Sequence, residues 1–277
     1  MCDEWYVNKS HMKYLYLVLF VCVLSCKTEN KPKKIELEPA KTKTENSVNL
    51  ERYPEALKKV FETHGGIGHW KSKKTLVFKL REELHTIDLQ SRKDRVDGPG
   101  YVMGFDGNKV WLQNQDDAYK GDPVFYHNLM SYFFNMPFVL GDRGISYAET
   151  DDLVYQGVNY PGIAIRFNAG VGTSYKDEYF MFYDPKTYEM AWLGYTVSYR
   201  SGERSEKISW IGYSDWNEID GLRVPKSLTW YSSEGRTLKE PRNTVVFEEV
   251  AFSEEAKQTA FFEKPEGGVF VEGKVQE

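Results

Sequence analysis

Cysteine is almost missing from this chain: three residues in 277. A disulfide-stapled scaffold is therefore excluded. Two of the three, Cys2 and Cys22, precede Cys26. A product cut before Cys26 would hold one thiol, leaving no disulfide, no cysteine zinc site and no cysteine nucleophile. A basic excess is missing too. Lys and Arg number 36 against 41 Asp and Glu, a formal charge of -5, which argues against a nucleic-acid partner. The local signatures of catalysis are absent as well. There is no His-Glu-x-x-His and no phosphate loop, and Gly144-Ile145-Ser146-Tyr147-Ala148 lacks the second glycine of a nucleophile elbow. Gly65-Gly66-Ile67-Gly68 follows a helical pattern rather than a strand, so it reads as a helix stop. His64 reads as a histidine favoured beside a helix C-terminus, and His69 as a surface residue. His85 and Asp88, three apart on a strand, face opposite sides. His127 reads as a partly buried polar residue in an aromatic helix. The acidic pairs Asp116-Asp117 and Asp151-Asp152 read as solvated loop charge. No catalytic residue, metal or cofactor is assigned.

Long hydrophobic runs are also lacking. The longest, Tyr14 to Leu24, has 11 residues, roughly 16 Å as a helix and about half a bilayer core. With Lys13 before it and a small residue after it, the run fits the apolar region of a secretory signal over 1–25. Asp3 and Glu4 do not suit such a segment, which points to Met12 as the start and to 1–11 as an extension of the gene model. Val23-Leu24-Ser25-Cys26 resembles the lipobox of bacterial lipoproteins. The resemblance implies cleavage before Cys26 and acylation of its sulfur, so that the partner at this end is a membrane. An ordinary secretory signal with a chance cysteine fits the same residues. From Cys26 to residue 50 there are six lysines and four glutamates with little that is apolar. Such a segment cannot bury enough surface to fold and reads as a flexible tether.

What is abundant is aromatic: 16 Phe, 19 Tyr and 7 Trp. Residues 51–277 read as one domain that opens with a helix, Pro54 at its start, Ala56, Leu57, Val60 and Phe61 on one face, Gly65-Gly66 at its end. Strands follow: Leu76, Phe78 and Leu80 alternate with Thr75, Val77 and Lys79, and His85, Ile87 and Leu89 with Leu84, Thr86 and Asp88. Turn signals then separate runs at 109–113, 152–156, 162–168, 178–183, 188–199, 206–213, 225–232 and 243–252. Hairpins without intervening helices mean antiparallel pairing. Asp122-Pro123 is a helix cap and first position, and the helix it opens, 123–135, is apolar nearly all round. The expected fold is mainly β, a large curved antiparallel sheet forming an incomplete barrel, with an N-terminal helix and one inserted aromatic helix.

Several strands are apolar on both faces. On 188–199, Met190 and Trp192 are expected to face away from Leu193 and Tyr195. On 206–213, Ile208 and Trp210 oppose Ile211 and Tyr213. On 225–232, Leu228 and Trp230 oppose Tyr231. A curved sheet can use its inner face for a ligand. The candidate lining residues are Trp111, Phe125, Leu129, Tyr132, Phe133, Trp192, Trp210 and Trp230; plain core packing accounts for the same residues.

The signal and lipobox, the helix ending in Gly-Gly, the aromatic helix running into Met136-Pro137-Phe138-Val139-Leu140-Gly141, the Asp184-Pro185-Lys186-Thr187 turn and Gly221-Leu222-Arg223-Val224-Pro225 together resemble an uncharacterised family of Gram-negative lipoproteins. That family is distantly similar to the lipoprotein carriers LolA and LolB. The resemblance implies an incomplete β-barrel, lidded by helices, with an apolar cavity for acyl chains. No functional residue of those carriers can be placed here by motif. The expectation is a non-catalytic, membrane-anchored envelope protein that binds a hydrophobic small ligand. Lys27, in place of the aspartate that retains some lipoproteins in the inner membrane, leans towards the outer membrane. A structural or assembly role, a glycan-binding surface and an envelope hydrolase stay open, and protein partners are unknown.

Overall fold

The computed structural model describes residues 49–168, 176–199 and 201–273. The signal segment, Cys26 and the tether as far as residue 48 lie outside them. The described residues belong to one unit, Glu45–Glu277.

A 3-10 turn, Leu50–Arg52, leads through Pro54 into α1 (Glu55–Thr63), whose Leu57, Val60 and Phe61 are buried. Their three- and four-residue spacing puts them on one stripe. Gly65 and Gly66, at φ 98° and 90°, end the helix. The chain then restarts at once as α2 (Ile67–Ser72), burying Ile67 and Trp70. This second helix is a correction to the reading of Gly65 to Gly68 as a stop alone. The glycines turn the chain; they do not send it into extended form.

A five-stranded meander follows: β1 (Thr75–Leu80), β2 (Glu83–Asp88), β3 (Asp94–Gly98), β4 (Tyr101–Phe105) and β5 (Val110–Asn114). Two short helices, α3 (Pro123–Tyr126) and α4 (Leu129–Phe134), and a 3-10 turn, Phe138–Gly141, cross to the second half. There β6 (Ile145–Tyr155), β7 (Val158–Phe167), β8 (Glu178–Tyr183), β9 (Met190–Tyr195), β10 (Ser209–Ile219), β11 (Leu222–Glu234) and β12 (Thr237–Val246) form another meander. Finally β13 (Glu248–Ser253), a 3-10 turn at Thr259–Phe262 and β14 (Val269–Val271) return to the first.

The strands make two seven-stranded antiparallel sheets, ordered β13-β1-β2-β3-β4-β5-β14 and β12-β11-β10-β9-β8-β7-β6. The fold is mainly β and antiparallel, with helices at the N-terminus and mid-chain, and neither sheet closes into a barrel. One run of chain passes from β12, at the edge of the second sheet, to β13, at the edge of the first. The corner is Phe247, 2% exposed, whose ring meets Phe78 at 5.1 Å and Phe134 at 4.8 Å. The run expected at 243–252 is therefore two strands broken by this corner.

One apolar core joins α1, α2, α4 and the inner faces of both sheets, from Phe61 and Trp70 through Phe78 and Phe134 to Leu193, Ile211 and Leu228. A separate cluster on the outer face of the second sheet holds Leu153, Phe182, Trp192, Trp210 and Leu238. Ile208, Trp210 and Tyr231 face outward, and Ile211, Tyr213, Leu228 and Trp230 inward, as alternation requires. Met190 departs from it. Tyr183 pairs with Met190 but Phe182 with Trp192, so the ladder slips between them. The extra residue turns Met190 into the inner core beside Leu193, away from Trp192.

Candidate functional site

Between the two sheets and the mid-chain helices lies a cavity of about 1310 Å³, larger than the usual 300–1,000 Å³ of a small-molecule site. Its lining runs from Arg81, in the β1–β2 turn, to Asn108 and Lys109, in the β4–β5 turn. The register places those turns at opposite ends of the first sheet. Strands of this length span about 17–20 Å, so the cavity is long enough for an extended chain.

One wall is helical. Asp122 caps α3, its carboxylate accepting from the backbone N–H of Val124 at 3.0 Å and Phe125 at 3.3 Å, with Pro123 in the first turn. The helix expected over 123–135 is broken at His127-Asn128 into α3 and α4. It is also less uniformly apolar than its composition implies. Asn128, Ser131, Tyr132 and Asn135, at three- and four-residue spacing, share a side that faces the cavity. The opposite wall is aromatic: Tyr132 meets Tyr179 at 5.7 Å, and Phe133 meets Tyr195 at 5.1 Å and Trp230 at 5.9 Å. The Trp230 indole N–H donates to the Tyr195 hydroxyl at 3.0 Å. Burial raises the Tyr132, Tyr179 and Tyr195 hydroxyls above their ordinary range, so all three keep their protons at neutral pH.

Five of the eight candidates read from the sequence, Phe125, Leu129, Tyr132, Phe133 and Trp230, line this cavity. The other three do not. Trp192 and Trp210 belong to the outer cluster, and the Trp210 indole donates to the Gly235 carbonyl at 3.0 Å. Trp111 is fully buried; its indole donates to the Phe262 carbonyl at 2.9 Å, and its ring lies where a Cβ on Gly104 would sit. Period-two alternation sorts residues into two faces without saying which is the inner one, and all three tryptophans fall on the other.

Apart from His127, read as a partly buried polar residue, the polar groups of the wall carry no sequence pattern. His127 Nδ1 and Asp94 Oδ2 lie 2.6 Å apart, both side chains buried, and both residues line the cavity. Facing the carboxylate, Nδ1 carries a proton, and the other ring nitrogen has no hydrogen-bond partner among the described residues. Ser131, one turn further on, donates to the Asn128 carbonyl at 2.9 Å rather than to His127. Asp142, also in the lining, pairs with Arg92 at 2.5 Å, and burial raises its carboxyl above the usual range. Deeper in the first sheet, Glu83 accepts hydrogen bonds from the Tyr101 and Tyr126 hydroxyls and faces His85 at 3.0 Å. Burial opposes its charge, but these three partners hold its carboxyl below the ordinary value. That cluster is satisfied internally.

His64 is a correction. It is fully buried, donating from Nδ1 to the Arg223 carbonyl at 2.8 Å and accepting the Met190 N–H on Nε2 at 3.1 Å. Burial pushes its pKa down to about 4, so it joins β9 to β11 as a neutral ring and offers no cation to the helix end. Among the described residues no group of three or more His, Cys, Asp or Glu side chains comes together to hold a metal. No described helix is long and apolar enough to cross a membrane.

In comparisons with known proteins, no curated protein matches. Among solved structures, a DUF1329 family protein from Desulfovibrio piger is 12% identical, with a TM-score of 0.43 over 76% of this chain and 98% of that one. A LolA superfamily protein from Nitrosomonas europaea is 7% identical, with a TM-score of 0.41 over 75% of this chain and 97% of that one. Residues 13–231 match the model of DUF6503, a family of unknown function.

Proposed function

The chain belongs to DUF6503, a family that brings no activity with it, and we propose from its cavity that it binds an elongated amphipathic molecule, an acyl chain or a lipid, without transforming it. The observation that carries this reading is the cavity itself: about 1310 Å³, reaching along the sheet and lined by aromatic side chains from both sheets and from α3 and α4. Burying apolar ligand surface there contributes about 25 cal/mol per Å², less the cost of immobilising the ligand and shifting the helices. A serine hydrolase would need a hydroxyl within reach of the free His127 nitrogen, and Ser131 donates elsewhere.

Mass spectrometry of the purified protein, native and after organic extraction, tests this. A stoichiometric lipid released by extraction is the expected result. A clean mass with no uptake of a fluorescent fatty acid overturns it, and leaves the aromatics as core and the search open to protein or glycan partners.

The reading includes a place. An acylated Cys26 would hold the domain at the cell envelope, at the outer membrane if Lys27 acts as the sorting position. Two or three acyl chains make such anchoring stable, at about 0.8 kcal/mol per buried methylene. Cys26→Ser is expected to abolish labelling by radioactive palmitate and to move the protein from the membrane to the soluble fraction; a variant that keeps its label and its membrane association refutes the anchor.

A further inference from the structure

Four buried side-chain atoms among the described residues have no hydrogen-bond partner: Asp94 Oδ1, Tyr132 OH, Asn135 Oδ1 and Arg223 Nε. Buried polar groups are almost always paired, and an unpaired one is costly. Three of the four belong to residues of the cavity wall. Asp94 and Asn135 are each 1% exposed. Asn135 follows Tyr132 by three residues at the end of α4, so the two share a side of that helix. The free nitrogen of His127 adds a fourth group at the same wall without a partner among the described residues.

These groups have a common chemistry. Asp94 Oδ1 and Asn135 Oδ1 only accept. The Tyr132 hydroxyl, kept protonated by burial, both donates and accepts. With the proton on Nδ1, the free nitrogen of a neutral His127 ring accepts. A wall richer in acceptors than in donors, and carrying a carboxylate, suits a ligand that brings hydrogen-bond donors and no negative charge. We propose that the cavity holds a polar seat, formed by Asp94 with His127 and by Tyr132 and Asn135, which takes an uncharged hydroxyl- or amide-bearing head group of the bound amphipath. The proposal rests on the reading of the cavity as a ligand site and adds which end group it selects. Arg81, Lys109 and Arg242 also line the cavity. Arg92 lines it too and acts on Tyr132, but its charge is met by Asp142; Arg81 and Lys109 lie in turns at the two ends, so the cations open to an anionic ligand are there rather than at the seat.

Competition separates the two claims. N-phenyl-1-naphthylamine, a neutral apolar fluorophore, is loaded into the purified protein and displaced by three ligands with one chain length: 1-monopalmitoylglycerol, palmitamide and palmitate. The buffer is mildly alkaline, so that palmitate is ionised. The seat predicts that the glycerol ester and the amide displace the fluorophore about tenfold more tightly than palmitate, the effect of one or two hydrogen bonds. Tyr132→Phe and Asn135→Leu should bring the three ligands to near parity while the fluorophore still binds. Because each substitution removes an unpaired buried group, neither should lower the melting temperature, whereas residues with a purely structural role would lower it. Asp94→Asn should strengthen palmitate binding by removing the like charge. Three ligands of equal affinity in the unaltered protein, or variants that keep the preference, overturn the seat and leave the cavity reading intact. A fluorophore that does not bind, or that no ligand displaces, overturns the cavity reading and the seat with it.

Discussion

His64 gives the pH response of the fold a single-residue handle. Its neutral ring satisfies a carbonyl on one side and an N–H on the other, and its pKa stands at about 4 rather than 6.5. The folded state therefore resists protonation that the unfolded state accepts. The stability this represents is intact above pH 6.5 and is lost as pH falls towards 4. Between pH 7 and pH 5 the loss is about 2 kcal/mol. Urea unfolding at the two pH values should show it, and His64→Gln should flatten the difference; an equal pH slope in the variant would contradict the assignment. Glu83 acts lower on the scale, its depressed pKa adding stability above the carboxylate range that is lost as the group protonates.

The corner between α1 and α2 offers a second test at this scale. Gly65 and Gly66 both have positive φ, but a Cβ on Gly65 would stand 2.2 Å from the Gly221 carbonyl oxygen while one on Gly66 meets nothing within 4 Å. Gly66→Ala should cost about 1–3 kcal/mol from backbone strain alone. Gly65→Ala should cost more, because backbone must move. Thermal melts that reverse this order would show that the corner relaxes differently.

At the scale of elements, the second sheet buries aromatics on both sides, and the two sides do different work. Trp210→Ala, on the outer face, should destabilise by about 3–5 kcal/mol and leave lipid uptake per folded molecule unchanged. Trp230→Ala, on the cavity wall, should weaken uptake severalfold. Uptake measured beside denaturant midpoints distinguishes them, and equal effects on uptake would mean that the faces are assigned wrongly.

The same elements show what could be read in advance. The stripe of α1, the Asp122-Pro123 cap and the alternation in β1, β2, β10 and β11 are local patterns, and each appears where its spacing puts it. β3 escaped notice because Asp94-Arg95-Val96-Asp97 offers a single apolar residue; its inward Asp94 is tolerated only because His127, 33 positions away, meets it. β14 has three residues, too few for any period. The slip at Met190 depends on its pairing with β8, which no pattern within β9 records. For the site, the aromatic side of α3 and α4 was legible, but the unpaired polar atoms were not, since a missing partner is a property of the assembled wall.

On the scale of the whole molecule, the two sheets are one continuous piece of architecture, hinged at Phe247 and filled by a shared core. Each sheet keeps two edge strands with a single paired neighbour, β12 and β13 on either side of that corner and β6 and β14 at the far ends. β6 carries Glu149, Asp151 and Asp152, charges that discourage edge-to-edge pairing. β14 is short, although Val269 and Phe270 are exposed on it.

The pairing of β1 with β13 also sets a timetable. Thr75 bonds to Glu255, 180 positions later, and Lys79 to Glu249, 170 positions later. At ribosomal speeds of about 5–20 residues per second, the first strand to be made waits roughly 10–35 s for its outer neighbour. The β1–β5 meander is born with a bare flank, a period in which the nascent chain depends on a chaperone or on remaining unfolded. A chain ending at Phe247 never leaves that period. It should accumulate as insoluble aggregate, measurable by partition on centrifugation, while the complete chain stays in solution; a soluble, folded truncation would show that the flank is harmless.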